Sequence, residues 1–162
     1  MFSEALKTKA ETLLQKARNK KLKIATAESC TGGLIIALLT EIAGSSDVVD
    51  RGFITYSNAA KTQMLGVDAA LIDAHGAVSD PVARAMAQGA LGHSSAQLSI
   101  AVTGIAGPSG GTPAKPVGLV HFACGRTGTD IISEQHIFSG DRASVREQTV
   151  AYALALLLQR VG

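Results

Sequence analysis

A chain of 162 residues suits one domain that buries roughly two-thirds of its unfolded surface, so its core needs neither a metal nor a disulfide. Hydrophobic residues make up 46%, nearly all Ala, Leu, Val and Ile; no Trp, four Phe and two Tyr leave too few rings for stacking single-stranded nucleic acid. A formal charge of +2, with the early lysines interrupted by Glu4 and Glu11, describes a solvated helix face rather than a nucleic-acid surface.

In chain order, Phe2, Leu6, Ala10, Leu13, Leu14 and Ala17 recur at helical spacing, which predicts an amphipathic helix ending near Asn19. Leu22 to Ala27 reads as a strand and Thr31 to Ala43 as a buried helix stopped by Gly44. Gly52 to Ser57 reads as a second strand and Asn58 to Leu65 as a short helix carrying Lys61. A linker follows. Ser79-Asp80-Pro81 has the form of a helix start, and that helix is expected to run to about Leu91. Leu98 to Val102 is the next strand and empties into a loop, Thr103 to Pro113, rich in glycine and proline. Val117 to Ala123 and Ile131 to Phe138 read as a strand pair. A helix from about Arg142 to Gln159 closes the chain, apolar on nearly every face of its late turns. Crossover helices with one late hairpin predict a mixed sheet between helical layers, formed by a single domain across residues 1–162. The apolar closing helix points to a homo-oligomer.

Cys30 and Cys124 are far apart, with no Cys-x-x-Cys spacing and no His pair to complete a zinc site, which suits reduced thiols in a cytoplasm. The N-terminus mixes Lys with Glu and lacks the apolar run of a signal peptide. The longest apolar runs, Leu34 to Leu39 and Ala151 to Leu158, are too short to span a bilayer.

Chemistry concentrates in two loops that follow strands, Glu28 to Gly33 and Thr103 to Thr112, and both can line one crevice at the carboxyl ends of a sheet. Neither matches a nucleoside triphosphate or dinucleotide fingerprint. Ser29, Cys30 and Thr31 are expected where a helix begins, an address that favours an anion or an oxyanion. Ser29 reads either as a helix cap or as a nucleophile. In the second reading Tyr56 and Lys61, five residues apart, supply a base, and the amides of Cys30 and Thr31 form the oxyanion hole. Cys30 is a rival nucleophile, or an inert thiol. Lys61 is a base or a solvated lysine, and Tyr56 a proton carrier or a half-buried strand residue. Arg142 and Arg146 stand one turn apart on one helix face, a pair suited either to a phosphate or to surface ion pairing.

Ala27-Glu28-Ser29-Cys30-Thr31-Gly32-Gly33, Gly52-Phe53-Ile54-Thr55-Tyr56-Ser57-Asn58 with Lys61, Gly76-Ala77-Val78-Ser79, Val102-Thr103-Gly104-Ile105-Ala106-Gly107-Pro108, Gly110-Gly111-Thr112-Pro113 with Lys115-Pro116-Val117-Gly118, and Gly140-Asp141-Arg142 with Arg146 occur in that order. Together they resemble the CinA C-terminal domain family, whose stand-alone members include nicotinamide mononucleotide deamidases. The resemblance spans about Ala5 to Leu158. It implies an α/β fold, a three-layer α/β/α sandwich with a mixed, mostly parallel central sheet. It also implies a metal-independent serine amidohydrolase, without cofactor, that converts nicotinamide mononucleotide and water to nicotinate mononucleotide and ammonia, a reaction of NAD metabolism. Carried onto this chain, Ser29 is the nucleophile and Tyr56 and Lys61 the proton-handling pair. Cys30, Thr31, Gly32, Thr103, Gly104, Ala106 and Arg142 contact the substrate, Arg142 at its phosphate. Many members carry a further N-terminal domain with pyrophosphatase activity, for which this chain has no room, so that activity is expected to be absent. The alternative reading is a non-catalytic nucleotide-binding protein acting through competence or DNA-damage partners.

Overall fold

The computed structural model describes residues 1–162. Ser3 caps the first helix, α1 (Glu4–Asn19), its hydroxyl accepting the Leu6 amide at 3.2 Å. Five strands, β1 (Ile24–Glu28), β2 (Val49–Ile54), β3 (Leu98–Gly104), β4 (Leu119–Arg126) and β5 (Ile132–Ile137), form one sheet of order β2-β1-β3-β4-β5. β1 runs parallel to both β2 and β3, while β4 is antiparallel to β3 and β5. The mixed sheet expected from crossover helices and a late hairpin is the one that forms. Five more helices complete the chain: α2 (Leu34–Glu41), α3 (Asn58–Leu65), α4 (Ala69–His75), α5 (Asp80–Gly92) and α6 (Arg142–Val161). None is long and apolar enough to cross a membrane.

Alternate residues of a strand point to opposite faces, and here the two faces differ in bulk. Ile24, Leu98, Ile100, Val102, Val120 and Phe122 face α1, α2 and α6. Ala25, Ala27, Ala101 and Ala123 face the other way, where α5 lies on the sheet with α3 and α4 behind it. Alanines let α5 approach closely, and Gly89 carries the close packing on to α3: a Cβ there would stand 2.1 Å from the Leu65 carbonyl oxygen. The three-layer sandwich follows from this division of large and small side chains.

Several elements depart from the sequence reading. The expected linker after α3 contains α4, a helix of 7 residues capped by Asp68, whose Oδ1 accepts the Ala70 amide at 2.9 Å. Too short to show a period, it was signalled only by its cap and by Gly76 at its end. β2 spans Val49–Ile54, starting and ending three residues before the expected Gly52 to Ser57; as an edge strand it tolerates the charged residues Asp50 and Arg51, which pair with each other at 2.8 Å. α2 begins at Leu34 rather than Thr31, since Gly32 and Gly33 both take positive φ. The closing helix, α6, meets β3 and β4 on one face and α1 on another.

Candidate active site

β1 ends in Glu28, whose side chain is fully buried. Its Oε1 accepts the Thr31 hydroxyl at 2.7 Å and the Ile35 amide at 2.9 Å; its Oε2 accepts the Thr26 hydroxyl at 3.2 Å and the Ile36 amide at 3.0 Å. The left-handed backbone at Gly32 (φ 59°) and Gly33 (φ 104°) folds the chain so that this carboxylate enters the first turn of α2. The anion attracted by that helix N-terminus is therefore the protein's own. Ser29 is not the cap of α2, and the amides of Cys30 and Thr31 do not belong to its first turn. They lie in a separate turn closed by the Gly32 amide donating to the Ser29 carbonyl at 3.1 Å.

Ser29 is held from behind by its own amide, which donates to the Val102 carbonyl of β3 at 3.1 Å. On the other side, the Thr55 amide donates to the Glu28 carbonyl at 2.8 Å and continues the β1–β2 pairing past the end of β2. The chain then turns into α3, capped by Ser57 through the Ala60 amide at 3.0 Å. This brings Lys61, in the first turn of α3, back over Ser29. Lys61 Nζ lies 3.0 Å from Ser29 Oγ, 2.9 Å from the Thr55 carbonyl and 3.4 Å from the Tyr56 carbonyl. Lys61 is 1% exposed and has no carboxylate partner among the ion pairs. Burial pushes its pKa below the usual 10.5.

Ser29, Cys30, Tyr56 and Lys61 open into a cleft of about 260 Å³, which Thr103, Gly104, Ala106 and Arg142 also line. Thr103 donates its hydroxyl to the Ala77 carbonyl at 2.9 Å, binding the α4–α5 connection to the cleft floor. Gly104 is required by space: a Cβ would stand 2.9 Å from the Leu119 carbonyl oxygen. Arg142 Nη1 donates to the Gly107 carbonyl at 2.8 Å, and its Nη2 donates to the Tyr56 hydroxyl at 3.3 Å. The Tyr56 ring is thus at the mouth, 62% exposed, with its hydroxyl on Arg142 rather than on Ser29 or Lys61. Two residues expected at the site contribute no side chain to the cleft. Thr31 is buried with its hydroxyl on Glu28, and Gly32 is exposed outside the cleft. The two arginines one turn apart also separate. Arg146 leaves the cleft to donate to the Cys30 and Thr31 carbonyls at 3.1 and 3.0 Å.

The family model of the CinA C-terminal domain matches residues 6–161. The chain belongs to the CinA C-terminal domain family. As a CinA domain it superposes on the crystal structure of competence/damage inducible protein CihA from Agrobacterium tumefaciens with a TM-score of 0.96 and 46% identity, covering 98% of this chain and 97% of that one. It is 46% identical over 160 residues to the nicotinamide-nucleotide amidohydrolase PncC of Escherichia coli, covering 99% of this chain and 97% of the relative. A CinA-like protein of Anaeromyxobacter dehalogenans is 54% identical over 136 residues, 83% of this chain. The match spans about a third of that longer relative, 33% of its length.

Within this CinA domain the residue reading passed over Asn58, Ala77 and Val78 as cleft residues, and Glu28 and Arg146 as supports. A carboxylate closing an otherwise apolar strand just before paired glycines was the available signal for Glu28. Arg146 stood out as half of a pair suited to a phosphate, but nothing local signals the carbonyls it holds, 115 and 116 residues away. His75, His93, His121 and His136 all lie outside the cleft. No three His, Cys, Asp or Glu side chains converge as metal ligands.

Proposed function

We propose that this chain hydrolyses the carboxamide of nicotinamide mononucleotide, giving nicotinate mononucleotide and ammonia through an ester on Ser29. The observation that carries the reading is the 3.0 Å contact between Lys61 Nζ and Ser29 Oγ in a buried site without a counter-anion. The three partners of Nζ are two carbonyls and one hydroxyl. A neutral amine fits that set, with two N–H donors for the carbonyls and its lone pair left for the serine proton. Desolvation favours the same neutral form.

Lys61 takes the Ser29 proton as Oγ bonds to the amide carbon, and the carbonyl becomes an oxyanion. The Cys30 and Thr31 amides, which donate to no backbone carbonyl, are the donors proposed for it; one such donor is worth about 3 to 4 kcal/mol. Collapse breaks the C–N bond, and ammonia leaves with the proton that Lys61 returns. Water, deprotonated by the same amine, then cleaves the ester. Tyr56, expected to share the proton handling, has its hydroxyl on Arg142 at the mouth and is assigned there to the bound substrate rather than to the Ser29 proton. Arg142 is the one guanidinium lining the cleft and is proposed to bind the phosphate. The similarity to PncC, which extends over nearly the whole of both chains, supports this choice of substrate.

Cys30 is a poor competitor for the attack, because burial pushes its thiol pKa up to about 11 and leaves it protonated near neutrality. The test is incubation of the purified, metal-stripped protein with nicotinamide mononucleotide, measuring ammonia and nicotinate mononucleotide together. Equimolar products are expected, with loss of turnover in Ser29→Ala and retention in Cys30→Ala. A folded protein that binds the nucleotide but releases neither product is a binding protein instead.

A further inference from the structure

We infer that Arg146 is a positioning residue for the reaction: it sets the direction of an oxyanion-hole amide without entering the cleft. The inference rests on the acyl-transfer reading above. Arg146 Nε donates to the Cys30 carbonyl at 3.1 Å and Nη2 to the Thr31 carbonyl at 3.0 Å. A trans peptide is planar, with its C=O and N–H pointing in opposite directions. Holding the Cys30 oxygen therefore aims the Thr31 N–H away from Arg146. In the same way the Gly32 amide, donating to the Ser29 carbonyl at 3.1 Å, aims the Cys30 N–H.

These are the two amides next to Ser29 that donate to no backbone carbonyl. One is thus aimed by a local turn hydrogen bond, the other by a side chain from a distant helix. Arg146 has no carboxylate partner, so its charge falls on the two carbonyls alone. A cation on a peptide oxygen also polarises the N–H of that peptide and strengthens it as a donor. The planar fork suits two successive carbonyls; an ammonium, with a single nitrogen, spans them poorly. The turn needs this support because Gly32 and Gly33, both at positive φ, give it little stiffness of its own.

Steady-state kinetics on nicotinamide mononucleotide with wild type, Arg146→Met and Arg146→Lys, read beside the ¹⁵N–¹H signals of Cys30 and Thr31, test the inference. Arg146→Met is expected to lower kcat roughly 10- to 100-fold with KM within about twofold, the signature of a misaimed group rather than lost binding. Added guanidinium restores part of the rate, Arg146→Lys falls between, and the Thr31 amide signal shifts more than that of Cys30. Should Arg146→Met not fold, Arg146→Lys carries the same comparison. An unchanged kcat, a loss confined to KM, or an unmoved Thr31 amide overturns the inference. A wild type that does not hydrolyse the nucleotide overturns the substrate reading instead, and the Thr31 signal then decides the role of Arg146.

Discussion

The turn after β1 and the loop after β3 leave adjacent parallel strands, both are rich in glycine, and both border the cleft, yet they are held in opposite ways. The turn carrying Ser29 is short and pinned by charge from within and behind: Glu28, fully buried, accepts four hydrogen bonds, and Arg146 grips two successive carbonyls. The loop from Ile105 to Gly118 is long and tied at points nearer the surface. Lys115 Nζ donates to the His75 carbonyl at 2.6 Å, and Arg142 to the Gly107 carbonyl at 2.8 Å. A nucleophile tolerates little displacement, whereas a wall that accepts part of a ligand tolerates more. The contrast assigns bond making to the first region and substrate retention to the second.

The strongest way to break this contrast is to empty the amine from the rigid side. Lys61→Met is expected to reduce kcat at least about 10³-fold while moving Tm by less than about 3 °C, since relief of the desolvated amine is offset by the Thr55 and Tyr56 carbonyls left without their donor. Thermal melts and product assays on one preparation read both effects. The pH dependence has a matching sign. Because burial holds the folded-state pKa of Lys61 below 10.5, the unfolded chain binds that proton more tightly. Stability therefore rises as pH climbs through the interval between the lowered value and 10.5, and kcat/KM rises as the folded amine loses its proton. In Lys61→Met this contribution to the stability profile disappears.

Next in size, Glu28→Gln keeps the shape of the carboxylate but turns an NH₂ toward groups that are themselves donors. A loss of roughly 2 to 4 kcal/mol is expected, with kcat falling as the turn loosens. Denaturant unfolding gives the first quantity and kinetics the second. On the other side of the cleft, Arg142→Ala is expected to raise KM about 10- to 30-fold with kcat little changed, through loss of one charge-assisted phosphate contact. Smallest is Lys115→Ala, which frees one anchor of the long loop. KM is expected to rise about twofold and stability to change by less than about 1 kcal/mol. A kcat effect as large as that of Glu28→Gln would erase the distinction between the two regions.

How far these regions were legible depended on whether the decisive information was local. Hydrophobic period and turn residues marked the strands bordering both loops, and Tyr56 and Lys61 stood out as candidates beside Ser29 because each closes or follows a strand. Their approach is set by β1 pairing with β2, a non-local fact that spacing can only suggest. The start of α2 was misplaced because apolar periodicity carries no record of φ, and the left-handed pair Gly32 and Gly33 decides where the helix begins. Arg142 and Arg146 share a helical face in sequence, but one side chain reaches the Gly107 carbonyl beside the cleft and the other the carbonyls of the Ser29 turn. Side-chain reach, unlike periodicity, has no signature in spacing.

The alanine face of the sheet has a consequence for how this chain can vary. With methyl groups alone at Ala25, Ala27, Ala101 and Ala123, the sheet side of that interface has little to fold aside, so added bulk presses on Val82 and Met86 of α5 and through them on the helix. α5 packs against α3, which carries Lys61. A single added methylene pair beneath α5, as in Ala101→Val, is thereby a displacement applied at a distance to the amine over Ser29, and sequence drift on this face is confined by chemistry several side chains away.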